Sequence, residues 1–168
     1  MEHWEICENP SGMVYERLIH ILCDHSDHFQ VVIIEGVQYK SSFLKSFMPD
    51  LERTYKTKNW PGTTTYGPSA AVYVFSVKES TPARLLKYTD SLYGWFGLQL
   101  PEDLAFIRNK FTWFYSTTHE EMSKFIVNEK GREMLTRIEG LKISKAQRHP
   151  LRLHLPERDT DQAAFDNP

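Results

Sequence analysis

The sequence predicts an α+β fold, with a mixed, largely antiparallel sheet and helices packed on one or both faces. Three observations predict it. Apolar residues recur at helical spacing after Ser11, Thr81 and Asn128. Short runs rich in β-branched and aromatic residues stand at 29–34, 69–77 and 103–127. In order along the chain the units read strand, helix, strand, helix, two strands, helix, a three-strand meander and a last helix, a mixture that segregates helices from an antiparallel sheet. A chain of 168 residues with 13% aromatics holds enough apolar material for one core and offers little room for two.

The first strand spans 3–7. In the helix that follows, Ser11 is placed to cap, and Val14, Leu18, Ile21 and Leu22 share one face. After the polar turn 24–27, the run 29–34 is too short for a typical helix and reads as a central strand ended by Gly36. Ser41 or Ser42 caps a second helix carrying Phe43, Leu44, Phe47 and Met48. Pro49 ends it, because proline lacks a donor and disfavours a helical predecessor. Residues 51–59 alternate Thr, Tyr and Lys and suit an edge strand protected by charge, with Trp60-Pro61-Gly62-Thr63 as the turn beyond it.

The segment 69–77 is apolar on both faces, as in a strand covered from two sides. Thr81 before Pro82 starts a helix over 82–93 carrying Leu85, Leu86, Thr89, Leu92 and Tyr93 and stopping at Gly94. Strands at 103–108, 111–118 and 122–127 form a meander whose first turn is Asn109-Lys110, since Asn tolerates positive φ. Asn128 caps a last helix with Met134, Leu135 and Ile138, closed by Gly140, and 141–143 adds a short strand. Periodicity ends at Ser144, so we divide the chain into one domain over 1–143 and a C-terminal tail over 144–168, flexible or docking.

Net charge is −2, which supplies no long-range field for nucleic acid, and no run approaches the length of a membrane-spanning helix. A cytoplasmic protein is the resulting expectation, with Cys7 and Cys23 as free thiols. The sequence carries no phosphate-binding glycine loop, no nucleophile elbow, no CxxC pair and no dinucleotide fingerprint. No cofactor is indicated.

Four groups of residues can nevertheless carry chemistry. His20, Cys23, His25 and His28 offer metal donors, but no second pair completes four ligands, and a polar helix end explains the same residues. His119 beside Glu120 follows an aromatic strand and has the minimum for acid–base work, against the plainer reading of a polar turn. Asp103 and Arg108 lie at the two ends of one strand, and Arg108 can pair with a carboxylate or a ligand anion. Trp60 and Trp95 each adjoin a turn, where an aromatic ring serves either the core or a partner surface.

The combination Trp60-Pro-Gly-Thr63, Ala71-Val-Tyr73, Ser91-Leu-Tyr-Gly-Trp95, Leu100-Pro-Glu-Asp-Leu104-Ala-Phe106 and Thr118-His-Glu120 resembles a family of small bacterial proteins. Its members often carry the label "stage III sporulation protein AH". The resemblance covers about residues 1–143 and implies a bacterial cytoplasmic protein, with no catalytic residues to carry over. It brings the family and not the label, because the sporulation protein of that name is a membrane-anchored channel component.

The leading expectation is a non-catalytic binding or interaction module, immunity-like or regulatory, using Trp60, Trp95, Arg108 and His119 toward a protein partner or small ligand. The rival is a small hydrolase or acid–base enzyme using His119 with Glu120 or Asp103, and Arg108 as anion anchor. Exposed edges at 51–59 and 151–155 also allow a homodimer.

Overall fold

The computed structural model describes residues 1–34, 42–97 and 100–146. Along the chain run β1 (Glu2–Ile6), α1 (Gly12–Asp24), β2 (His28–Ile33), α2 (Ser42–Phe47), β3 (Leu51–Thr57), β4 (Asn59–Trp60) and β5 (Thr63–Thr64). Then follow β6 (Ala70–Ser76), α3 (Thr81–Leu85), β7 (Glu102–Arg108), β8 (Phe111–Thr117), β9 (Met122–Val127), α4 (Glu129–Thr136) and β10 (Ile143–Lys145). Eight strands form one sheet in the order β10-β1-β9-β8-β7-β2-β6-β3, every neighbouring pair antiparallel, and β4 with β5 makes a separate small hairpin. The fold is α+β, as expected.

All four helices contribute to one core on one face of the sheet. Tyr15, Leu18, Ile19 and Leu22 bring the i, i+3, i+4, i+7 stripe of α1, joined by Phe43 and Phe47 of α2, Leu85 of α3 and Leu135 of α4. Against them stand Phe29, Val31, Phe75, Leu104, Phe106, Phe114 and Phe125, alternate residues of the central strands. Phe29 stacks on Phe75 at 5.2 Å between centroids and takes the edge of Phe47 at the same distance.

The opposite face has a smaller cluster of Val32, Ala70, Val72, Val74 and Ile107, closed by Trp60 from the β4–β5 hairpin. Gly62 permits that closure. Its φ is +84°, and a side chain there would come within 2.6 Å of Thr117 Oγ1 and of the Tyr115 ring on β8. This pairing of one large and one small cluster explains why β6 reads as apolar on both faces.

Most elements stand where the sequence places them. The meander is β7, β8 and β9, and Asn109 and Lys110 both hold positive φ (50° and 66°) in its first turn. Asn128 caps α4 through Oδ1, which accepts from Gly131 N at 3.0 Å, and Gly140 has φ +87°. β3 lies on an edge with Glu52 to Lys56 exposed.

Two expectations need correction. The helix over 82–93 is only α3 followed by turns, because backbone donors and an acceptor further on are engaged by the loop after β1. Gly12 N donates to Asp90 O, Leu92 N to Pro10 O and Tyr93 N to Asn9 Oδ1. The domain also extends past residue 143, since Ser144 pairs with Glu5 and Lys145 with Trp4. The expected roles of Gly36, Ser41, and the segment 151–155 lie outside the described residues.

Candidate functional site

The β7–β8 hairpin decides where the sequence-predicted residues go. Glu102 and Asp103 begin β7 and Arg108 ends it, so the two ends lie about 20 Å apart at 3.3 Å per residue. Thr118, His119 and Glu120 form a 3₁₀ turn after β8, back beside the start of β7. Arg108 therefore cannot anchor an anion for His119, and the expected enzyme site is split between opposite ends of the hairpin.

At the open end Asp103 is answered from within the chain. Asp103 is buried, and its carboxylate accepts from Trp60 Nε1 at 2.7 Å and from Thr118 N at 2.8 Å, with Thr63 Oγ1 at 3.5 Å. Its backbone sits at φ +52°, a left-handed conformation that Asp tolerates better than most residues. The reason is a bulge. β7 holds one extra residue between Ala105, opposite Gln30, and Glu102, opposite Val32.

Glu102 is 6% exposed, yet its Oε2 lies 2.6 Å from His119 Nε2, on a side chain that is 60% exposed. This oxygen has no further hydrogen-bond partner among the described residues, so His119 is its ion-pair neighbour. Burial pushes the Glu102 carboxyl up, His119 opposes that, and Asp103 adds to it, leaving it above the ordinary carboxylate range. Gln30 Nε2, also buried on the neighbouring strand, has no acceptor among the described residues. Glu120 is exposed in the same turn as His119.

At the turn end lies a cavity of about 720 Å³. Arg108, Phe111 and Trp113 of the hairpin form one wall, Lys130, Met134 and Arg137 from α4 and its C-cap form another, and His25 at the end of α1 joins them. Among the described residues no Asp or Glu lines it. Among the described residues Arg108, Lys130 and Arg137 make no ion pair, although Glu129 and Glu133 share α4. The carboxylate of Asp27, beside the cavity, is occupied in accepting from Asn109 N at 2.6 Å.

The walls are built by close packing. Gly131 lets the first turn of α4 settle on the end of β9, where an added Cβ would stand 2.8 Å from Val127 Cβ. Trp113 is held by Ser26, to which its Nε1 donates at 2.9 Å, so its ring presents apolar surface. A second, smaller cavity of about 120 Å³ beside Pro10 and Gly140 is lined by other residues, and neither cavity is lined by Glu102, Asp103 or His119.

The remaining candidates are placed differently from the expectation. Trp95 has no exposed surface and donates to Tyr15 Oη at 2.7 Å, so it belongs to the core and not to a partner surface. Burial raises the Tyr15 phenol. Trp60 is 9% exposed with its N–H committed to Asp103, and it closes the small cluster instead of facing a ligand. Cys23 is buried and pushed up to about 12, which leaves an inert thiol, and Cys7 is free and exposed. Among the described residues no three His, Cys, Asp or Glu side chains converge to hold a metal, so His20, Cys23, His25 and His28 are not brought together as ligands.

The cations of α4 escaped the sequence reading. Their signal is the row Lys130, Met134, Arg137 at i, i+4, i+7 beside a capping Asn128. No helix among the described residues is long and apolar enough to cross a membrane. No family model, curated protein or solved structure matches the chain.

Proposed function

We propose that the chain is a non-catalytic binding module whose site is the cleft between the β7–β8 turn and α4, taking a small ligand that is anionic and partly apolar. One observation carries the reading: a cavity of about 720 Å³ gathers Arg108, Lys130, Arg137 and His25 with no lining carboxylate among the described residues. That volume falls within the usual range of small-ligand pockets, roughly 300–1,000 Å³. Unpaired cations around a concave, partly apolar surface concentrate field there and favour an anion. Phe111, Trp113 and Met134 supply the surface against which its apolar part is desolvated, at about 0.8 kcal/mol per buried methylene. The setting we assign is the bacterial cytoplasm, following the family resemblance.

Titration with anilinonaphthalene sulfonate, an aromatic anion, tests this by the rise of its fluorescence and by amide shifts in a ¹H–¹⁵N spectrum. The expected shifts centre on Arg108, Asn109, Asn128 and Lys130. Binding that maps elsewhere, or that survives Arg108→Ala together with Arg137→Ala unchanged, overturns the proposal.

A second reading, acid–base catalysis, draws support from the 2.6 Å approach of His119 to a buried Glu102. Against it, neither cavity adjoins the pair. Hydrolysis of an activated phenyl ester, abolished by His119→Ala and by Glu102→Gln, would establish it in place of the first.

A further inference from the structure

The cleft's cations are arranged along a line. Lys130, Met134 and Arg137 follow one another at i, i+4 and i+7, and all three line the cavity. Arg137 keeps helical backbone at the C-cap (φ −80°, ψ −12°), so the row continues straight through it. At 1.5 Å per residue the two cation-bearing positions stand about 10 Å apart along the axis, with Met134 between them. Arg108, Phe111 and Trp113 face this row from the hairpin.

A compact single anion engages both ends of such a row only if the two long side chains fold in over Met134. Otherwise it leaves Lys130 or Arg137 unanswered, because among the described residues no carboxylate lines the space. The half-buried Met134 offers the intervening stretch apolar contact and no hydrogen-bond partner of note.

Resting on the cleft as the binding site, we infer that its ligand is an elongated dianion, with a negative group near each end and an apolar middle that lies along Met134. One end meets Lys130 and the other Arg137, while Arg108 closes over it from β7. The chemical class is an α,ω-dicarboxylate or a comparably extended bis-anion.

Decanedioate, decanoate and butanedioate are the probes, titrated calorimetrically into the full chain and into Lys130→Gln and Arg137→Gln. Both substitutions sit at exposed helix positions, and Gln retains helix propensity. Decanedioate is expected to bind about threefold to fivefold more tightly than either other probe, the gain of one further exposed ion pair. Each substitution should remove that advantage while leaving decanoate within about twofold. If decanoate matches decanedioate in the unsubstituted chain, or if both substitutions weaken the two equally, the dianion inference is overturned and the cleft reading stands. If neither these acids nor anilinonaphthalene sulfonate binds, both are overturned together.

Discussion

The two ends of the β7–β8 hairpin use polar side chains in opposite ways. At the open end Asp103 is buried and its oxygens are answered by Trp60, Thr63 and Thr118. At the turn end Arg108 faces a cavity in the company of Lys130 and Arg137, with no carboxylate on the lining among the described residues. A buried polar group whose partners all lie within the chain holds the fold together, since leaving it unpaired is costly. A set of like charges around a concavity gains nothing within the chain and is satisfied only from outside. By that contrast, the open end is architecture and the turn end is where a ligand belongs.

The sharpest way to break the comparison is Asp103→Ala. It leaves Trp60 Nε1 and Thr118 N without their acceptor in a buried place, at about 1–3 kcal/mol each, and retains the left-handed backbone that Ala supports poorly. Urea unfolding should show a loss of about 3 kcal/mol or more, with anilinonaphthalene sulfonate affinity unchanged in the folded protein. If binding falls as steeply as stability, the two ends are not separate.

Arg108→Ala should do the reverse. Its side chain is exposed and unpaired, so unfolding should move by less than about 0.5 kcal/mol, while affinity for the aromatic anion drops about fivefold. Raising the salt from about 0.02 M to about 0.5 M should weaken binding in the unsubstituted chain and have little further effect in Arg108→Ala plus Arg137→Ala.

How much of this was legible in the sequence follows from the range of each interaction. The turn at Asn109-Lys110 was readable, because positive φ is a property of the residues themselves. So were the cap at Asn128 and the edge character of β3. The helix over 82–93 misled because the pattern of Leu85, Leu92 and Tyr93 is real burial, produced by tertiary bonds to Asn9 and Pro10 instead of a helix. Trp60 and Trp95 carried the same signal, a ring beside a turn, and both prove buried, one against Asp103 and one against Tyr15. Arg108 was identified as an anion anchor, but its companions on α4 lie more than twenty positions downstream. Only the return of β9 beside β8 brings them to it.

The smallest expected effect, and the one that tests the open end most closely, is the pH dependence carried by Glu102. Burial and Asp103 raise its carboxyl above the ordinary 4.5 in spite of the nearby His119, so the folded state holds that proton more tightly than the unfolded chain. The protonated form is thus the better accommodated one. Its contribution to stability is present below pH 4.5 and is lost as pH rises through the raised value. Glu102→Gln keeps the shape and cannot ionise, so it should flatten this fall, leaving the substituted protein with a shallower stability profile above pH 4.5. Replacing His119 by Ala should steepen the fall instead, because the histidine is what favours the ionised carboxylate. Were Glu102→Gln to leave the profile unchanged, Glu102 would not be the source of this fall, and its burial beside Asp103 would not bear on stability in the way argued.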